Sequence, residues 1–300
     1  MKKTYPHALR GAVCSALGGV CWGFSGTCGQ YLFSHYPVSS LWLTCVRLLV
    51  GGGLLTLLCL RRHRADLAAI LRTPKDLAML VLYGVAGLLL CQYAYMTGIA
   101  YSNAATTTVL QNLGLLLIMG YTCLRQRCLP TRREGFALVL ALCGVYLLAT
   151  GGDPRHMALS PLGLFWGLAA AAAVALYSLL PQKLLSRYDR SAVVGPGMLI
   201  GGIALNLLAL GRMDAVSLPP DGWLAVASVV LLGTAMAFTL IMQGIVDAGP
   251  AKASMLASTE PLSATVFSAL WLGTRFSIAD LVGFAAIIAT VFLLTRADDA

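Results

Sequence analysis

Apolar runs long enough for a helix to cross the ~30 Å hydrocarbon core of a bilayer recur throughout this 300-residue chain. They lie at 11–33, 38–60, 77–99, 103–124, 135–151, 162–181, 192–211, 222–245, 251–273 and 277–295, each bounded by charges or by Pro and Gly. With 58% apolar and 11% charged residues, the composition lies outside the range of water-soluble domains. The reading is an all-α integral membrane protein of ten transmembrane helices. The first run is long, lacks a small-residue cleavage site and opens a series of similar runs, so it is expected to stay in the mature protein.

A net charge of +9 invites a nucleic-acid reading, but the 21 Lys and Arg residues sit between the apolar runs and form no single basic face. With the N-terminus placed in the cytoplasm, 17 of them fall in cytoplasmic segments. Arg155, Arg212 and Arg275 fall on the other side, and Arg47 lies inside a span. Basic residues accumulate on the cytoplasmic face, so both termini are expected inside, in the cytoplasmic (inner) membrane. No nucleic-acid partner is implied. The nine cysteines contain no CxxC pair and the four histidines fall in or beside loops, so neither a disulfide framework, a metal site nor a cofactor is expected. Cys14, Cys21 and Cys28 read as small packing residues.

The chain also repeats itself. Met96-Thr97-Gly98-Ile99 returns 146 residues later as Met242-Gln243-Gly244-Ile245, and the same offset pairs Val145-Tyr146-Leu147-Leu148 with Val291-Phe292-Leu293-Leu294. Five spans per half is an odd number, so the halves, 1–151 and 152–300, must enter the membrane from opposite sides. Such inverted repeats underlie many secondary transporters.

A residue about nine positions into a span lies ~14 Å deep, near the bilayer centre. Arg47, Gln111, Asn112 and Glu260 meet that condition in the second, fourth and ninth runs. Burying either charge alone costs at least ~2.5 kcal/mol. Arg47 and Glu260 must therefore either pair with each other, locking two spans, or face a cavity and its substrate. Pro261 removes a backbone donor directly after Glu260, so a helix break is expected there, with Ser254, Ser258 and Thr259 beside it. Thr106, Thr107 and Thr108 precede Gln111 in the matching stretch of the first half. In the first span Gly19 and Gly23 form GxxxG, which permits close helix approach, and Trp22 and Ser25 are candidate cavity residues. Gly51-Gly52-Gly53 and Gly195-Pro196-Gly197 are expected to loosen the second and seventh spans.

The Trp22-Gly23 pair, Arg47, Glu260-Pro261 and ten spans in two halves together resemble the EamA-type transporters of the drug/metabolite transporter superfamily. The resemblance covers the whole chain. It implies an inner-membrane carrier, often an exporter of amino acids or related compounds, with a central cavity lined by the first four helices of each half, and it maps Trp22, Arg47 and Glu260 onto motif positions. The chain departs from the pattern at Gly114-Leu115, where family members often carry proline. The expected partners are a small-molecule substrate, the bilayer and, if coupling is to protons, a proton carried by Glu260; the protein acts as a monomer or a homodimer. A channel-like facilitator and a lipid-substrate transporter or scramblase could use the same cavity. An enzyme is not expected: no span carries a histidine or an internal aspartate, and no HExxH occurs.

Overall fold

A computed structural model describes residues 7–127, 129–153, 155, 157–209 and 216–295. Among them the chain is entirely helical. The helices are α1 (Ala8–His35), α2 (Ser40–Arg62), α3 (Arg64–Arg72), α4 (Pro74–Tyr101), α5 (Ala104–Gln126), α6 (Arg132–Thr150), α7 (Pro161–Leu185), α8 (Arg190–Leu208), α9 (Pro220–Ala248), α10 (Pro250–Ala257), α11 (Thr259–Leu272) and α12 (Ile278–Thr295). Helix starts follow local chemistry: Ser39, Asn103 and Ser160 each accept a backbone N–H of the first turn, and Thr131 with Glu134 closes a capping box.

Of the ten spans expected, seven (α2 and α4 to α9) are long and apolar enough by themselves to cross a membrane among the described residues. The other three differ for identifiable reasons. Glycines and polar residues dilute the apolarity of α1, a break at Ser258 divides the ninth run into α10 and α11, and α12 is short. One expected loop is a helix. In α3, Leu67 and Ile70 are buried between basic ends, giving a short amphipathic element.

The surface inverts that of a soluble protein. Leu270 and Ile278 are each 82% exposed, whereas Ser25, Thr27, Thr44 and Thr107 are fully buried. An apolar belt of this kind suits lipid contact, with backbone polar groups satisfied within the helices.

Packing joins the two halves. Helix α1 lies along α9, α10 and α11, while α7 lies along α4 and α5; α2 packs on α8, and α6 on α12. Exchanging the first half for the second maps this pattern onto itself. Gly19 and Gly23 set how closely α1 approaches the broken ninth segment. A Cβ at Gly19 would come within 2.6 Å of the Ala257 carbonyl oxygen, and one at Gly23 within 2.5 Å of the Glu260 carbonyl oxygen. The Thr259 hydroxyl then donates to the Ala16 carbonyl at 2.9 Å.

Three helices carry π-type turns: α2 at Arg47–Gly51, α4 at Tyr83–Leu89 and α9 at Leu231–Met236. Two more are interrupted, α5 at Asn112 and Leu113 and the ninth segment at Ser258. Asn112 and Ser258 stand 146 positions apart, the offset of the sequence repeat. The break expected at Pro261 lies three residues earlier. Pro261 occupies the first turn of α11, where a missing N–H goes unneeded. The fourth span breaks without any proline. Pro196, by contrast, sits inside a continuous α8, and Gly195 serves close packing against the Leu55–Thr56 backbone.

Candidate functional site

The two interrupted segments and the π turns of α2 and α4 contribute to the wall of a cavity of about 330 Å³. Arg47 reaches it from the start of the π turn in α2 and is 4% exposed. Its Nη2 donates to the Gly233 carbonyl at 3.1 Å and its Nε to Thr234 Oγ1 at 3.3 Å, both on the π turn of α9. A π turn lengthens the usual hydrogen-bond ring, and such distortions recur at functional sites. Nη1 of Arg47 is buried and has no hydrogen-bond partner.

Glu260 lies on the wall of the same cavity, in the first turn of α11. An acid there is favoured by the positive end of the helix dipole. It forms no ion pair with Arg47: the ion pairs among the described residues are Arg10–Asp247, His63–Asp189 and Arg187–Asp76. The interhelical lock expected as one alternative is therefore not formed, because the Arg47 guanidinium is held by α9.

Gln111 and Asn112 come from the interruption in α5. Gln111 Oε1 and Asn112 Nδ2 are buried without a partner, and the Gln111 amide nitrogen has only the Cys91 sulfur at 4.0 Å. An unsatisfied buried polar atom costs about 1–3 kcal/mol. Among the described residues the three such side-chain atoms, on Arg47, Gln111 and Asn112, all belong to residues of this one cavity. That concentration points to a polar ligand.

Of the residues expected from sequence, Trp22, Arg47, Gln111, Asn112, Ser258 and Glu260 line this space together. Ser25 does not. It is fully buried between α1 and α9, and its hydroxyl donates to the Val229 carbonyl at 3.4 Å. Ser254 lies outside the described side chains. Further wall residues escaped the search for charge: Cys91, Gln92, Tyr95, Tyr177 and Phe238. Tyr95 shares a hydrogen bond with Thr108 at 2.9 Å, and Phe238 meets Trp22 edge-to-face at 5.5 Å. Gln92 and Tyr95 on one apolar run were the available signal; Phe238 and Tyr177 look like ordinary packing residues in sequence.

The two ends of the bundle differ. At one, Gln30 takes hydrogen bonds from the Ala104 N–H (2.9 Å) and Ser268 hydroxyl (3.1 Å) and donates to Thr274 (3.0 Å). Tyr31 and Tyr36 both donate to Asp221, and Tyr31 stacks on Trp271. At the other, a vestibule of about 660 Å³ opens between α2, α8 and α9, with Arg62, His63, Asp189 and Arg190 among its lining residues.

Comparison with known proteins agrees with this architecture. The profile of the EamA-like transporter family matches residues 9–150 and 161–296. The chain is 36% identical over 281 residues to the uncharacterized inner membrane transporter YicL of Salmonella typhimurium, covering 93% of each protein. It is 24% identical over 281 residues to the uncharacterized transporter YwfM of Bacillus subtilis, covering 92% of this chain and 90% of that one. A crystal structure of an 18% identical protein superposes with a TM-score of 0.64 over 96% of this chain and 99% of the other, a likeness of fold. The chain is thus a multi-pass membrane protein that belongs to the EamA-like transporter family, a family of transporters and not of enzymes.

Proposed function

We propose that this protein is a secondary carrier that exports a small metabolite, an amino acid or a related compound, across the cytoplasmic membrane by alternating access. Two inverted five-helix repeats, 1–151 and 152–300, rock about the central cavity, with both termini and the vestibule on the cytoplasmic side. The observation that carries this reading is the gathering of three unpartnered buried polar atoms, on Arg47, Gln111 and Asn112, beside Glu260 in one cavity. Arg47 Nη1 and Asn112 Nδ2 offer donors to a carboxylate; Gln111 Oε1 and Glu260 offer acceptors to an ammonium or hydroxyl. Trp22, Tyr177 and Phe238 supply apolar and aromatic walls. Ser258 borders the opposite helix break, and Pro261 fixes the start of the helix that presents Glu260.

The repeat reading is supported by the equal offset of the breaks at Asn112 and Ser258 and by packing pairs that exchange between halves. The orientation is supported by 17 basic residues against three. Glu260 is the carboxylate of the cavity and the candidate to carry a coupling proton.

The test is purified protein screened for thermal stabilisation by a panel of amino acids and related metabolites, followed by counterflow in liposomes. A stabilising compound should be counter-transported, and Arg47→Ala should abolish both responses. Glu260→Gln should abolish gradient-driven flux while leaving the thermal midpoint of the free protein in place. Stabilisation unaffected by Arg47→Ala would remove the cavity from the binding role, and unchanged pH-driven flux in Glu260→Gln would remove the proton role.

A further inference from the structure

Phe238 belongs to two cavities at once. It borders the central cavity with Trp22 and Ile241, and it borders the vestibule with Thr239 and Met242. Among the described residues no other lines both. The residue is 9% exposed and its ring meets Trp22 edge-to-face at 5.5 Å, so the wall between the two spaces is an aromatic pair whose one polar group is the indole N–H. An apolar constriction of this kind opposes the passage of water and polar solutes until it moves.

The backbone beneath Phe238 has a means to move it. The π turn Leu231–Met236 ends two residues earlier. Removing one residue from that wide turn, so that it becomes an ordinary helical turn, would rotate everything beyond it by ~100°. Phe238 would leave Trp22. The π turn is also where Arg47 is anchored, through the Gly233 carbonyl and Thr234 hydroxyl. A ligand that draws the guanidinium off those two groups would therefore release the same turn that positions the ring. We infer that Phe238, closed against Trp22, is the gate between vestibule and central cavity, and that Arg47 couples its position to ligand binding. The inference deepens the carrier reading and rests on it for the direction of passage.

A readout independent of transport is available, because Cys91 is buried and lines the central cavity behind the gate. Full-length protein in lipid nanodiscs is treated with 2-sulfonatoethyl methanethiosulfonate, and modification of Cys91 is followed over time by peptide mass spectrometry as the labelled fraction of its own peptide. Phe238→Ala should raise the Cys91 rate about fivefold, the scale of losing one edge-to-face ring pair. Phe238→Trp should lower it. Phe238→Leu should raise it to a lesser degree and replaces the alanine variant if that one fails to fold. A Cys91 rate that stays at the wild-type value in the alanine or leucine variant would overturn the gate. Failure of the carrier reading is seen separately: a protein with this labelling order that counter-transports no metabolite keeps the gate and loses the carrier.

Discussion

The two ends of the helix bundle are closed by different means. At the end holding Gln30, Tyr31 and Asp221, directional hydrogen bonds join α1 to α5, α9 and the segment after α11, backed by the Tyr31–Trp271 stack. At the end holding Arg62, His63 and Asp189, polar contacts tie the segment between α7 and α8 to α3, α4 and His63 (Asp189 N–H to Asp66, Tyr188 to Asp76, His63 with Asp189), but none of these reaches α9, and the central cavity is shielded there chiefly by the Trp22–Phe238 ring pair. At one end α9 is therefore tied across the bundle by hydrogen bonds to Asp221, whereas at the vestibule its contact over the central cavity is an aromatic pair that can part by rotation. In a carrier this is the asymmetry of a single state, with the vestibule end nearer to open.

The substitution expected to do most damage tests what the two ends share. Gly23→Leu would thrust a side chain into the Glu260 carbonyl and the Ala264 amide, forcing α1 away from α11 along its length. Overpacking of this kind commonly costs about 1–3 kcal/mol and more where backbone blocks the way. Loss of the monodisperse peak in size-exclusion chromatography is expected; a variant that elutes and melts like wild type would show that close approach is dispensable. Gln30→Leu comes next and attacks one end only. It leaves the buried Ala104 N–H without its acceptor, a loss of about 1–3 kcal/mol, and should lower the thermal midpoint and expose Cys28, now buried, to thiol reagents. An unchanged midpoint would mean that this end is not held by Gln30.

Asp189→Ala acts at the opposite end. Asp189 caps α8 through Ser191 and accepts an ion pair from His63 at 3.9 Å. Losing such a cap costs about 1 kcal/mol. Partial burial pushes the Asp189 carboxyl up, but the hydrogen bonds from Ser191 and the charge of His63 outweigh it and hold the acid below its ordinary range. A depressed acid contributes stability above its unfolded pKa and loses it as pH falls through the folded value. Acidification below the ordinary aspartate range should therefore lower the wild-type midpoint more than that of the alanine variant, and equal slopes would sink the assignment. Asp221→Asn should have the smallest effect. Its partners Tyr31 and Tyr36 meet it in an exposed position, where polar contacts contribute little. A large drop in midpoint there would move the seal from Gln30 to the tyrosine pair.

Much of this arrangement could be read in the residues. Charge and amide groups at midspan depth led to Arg47, Gln111, Asn112 and Glu260, because a bilayer makes such groups costly unless they face a partner or a cavity. A break in the ninth run was expected from Pro261 and falls three residues earlier, at Ser258, whereas the matching interruption of α5 carries no proline and was not expected. Other features left no mark. A π turn has no composition of its own, so the anchoring of Arg47 on Gly233 and Thr234 was invisible. Phe238 and Tyr177 read as packing because an aromatic at a cavity wall and one in a core obey the same periodicity. Ser25 was a candidate by its place beside Trp22 and, three residues on, it shares that face of α1, but an axial rise of ~4.5 Å carries it past the cavity to the Val229 carbonyl of α9.

The interruptions at Asn112 and Ser258 have one more effect. Each starts a fresh helix, Gly114–Gln126 and Thr259–Leu272, whose leading amides sit beside the cavity. The stretches before them, Ala104–Gln111 and Pro250–Ala257, end at the same places, so each break sets a helix C-terminus against a helix N-terminus and lends the cavity wall peptide polarity of both signs. On the carrier reading, recognition of a solute's polar groups is then in part a property of the chain's backbone, and should drift less among relatives than preference for size or shape.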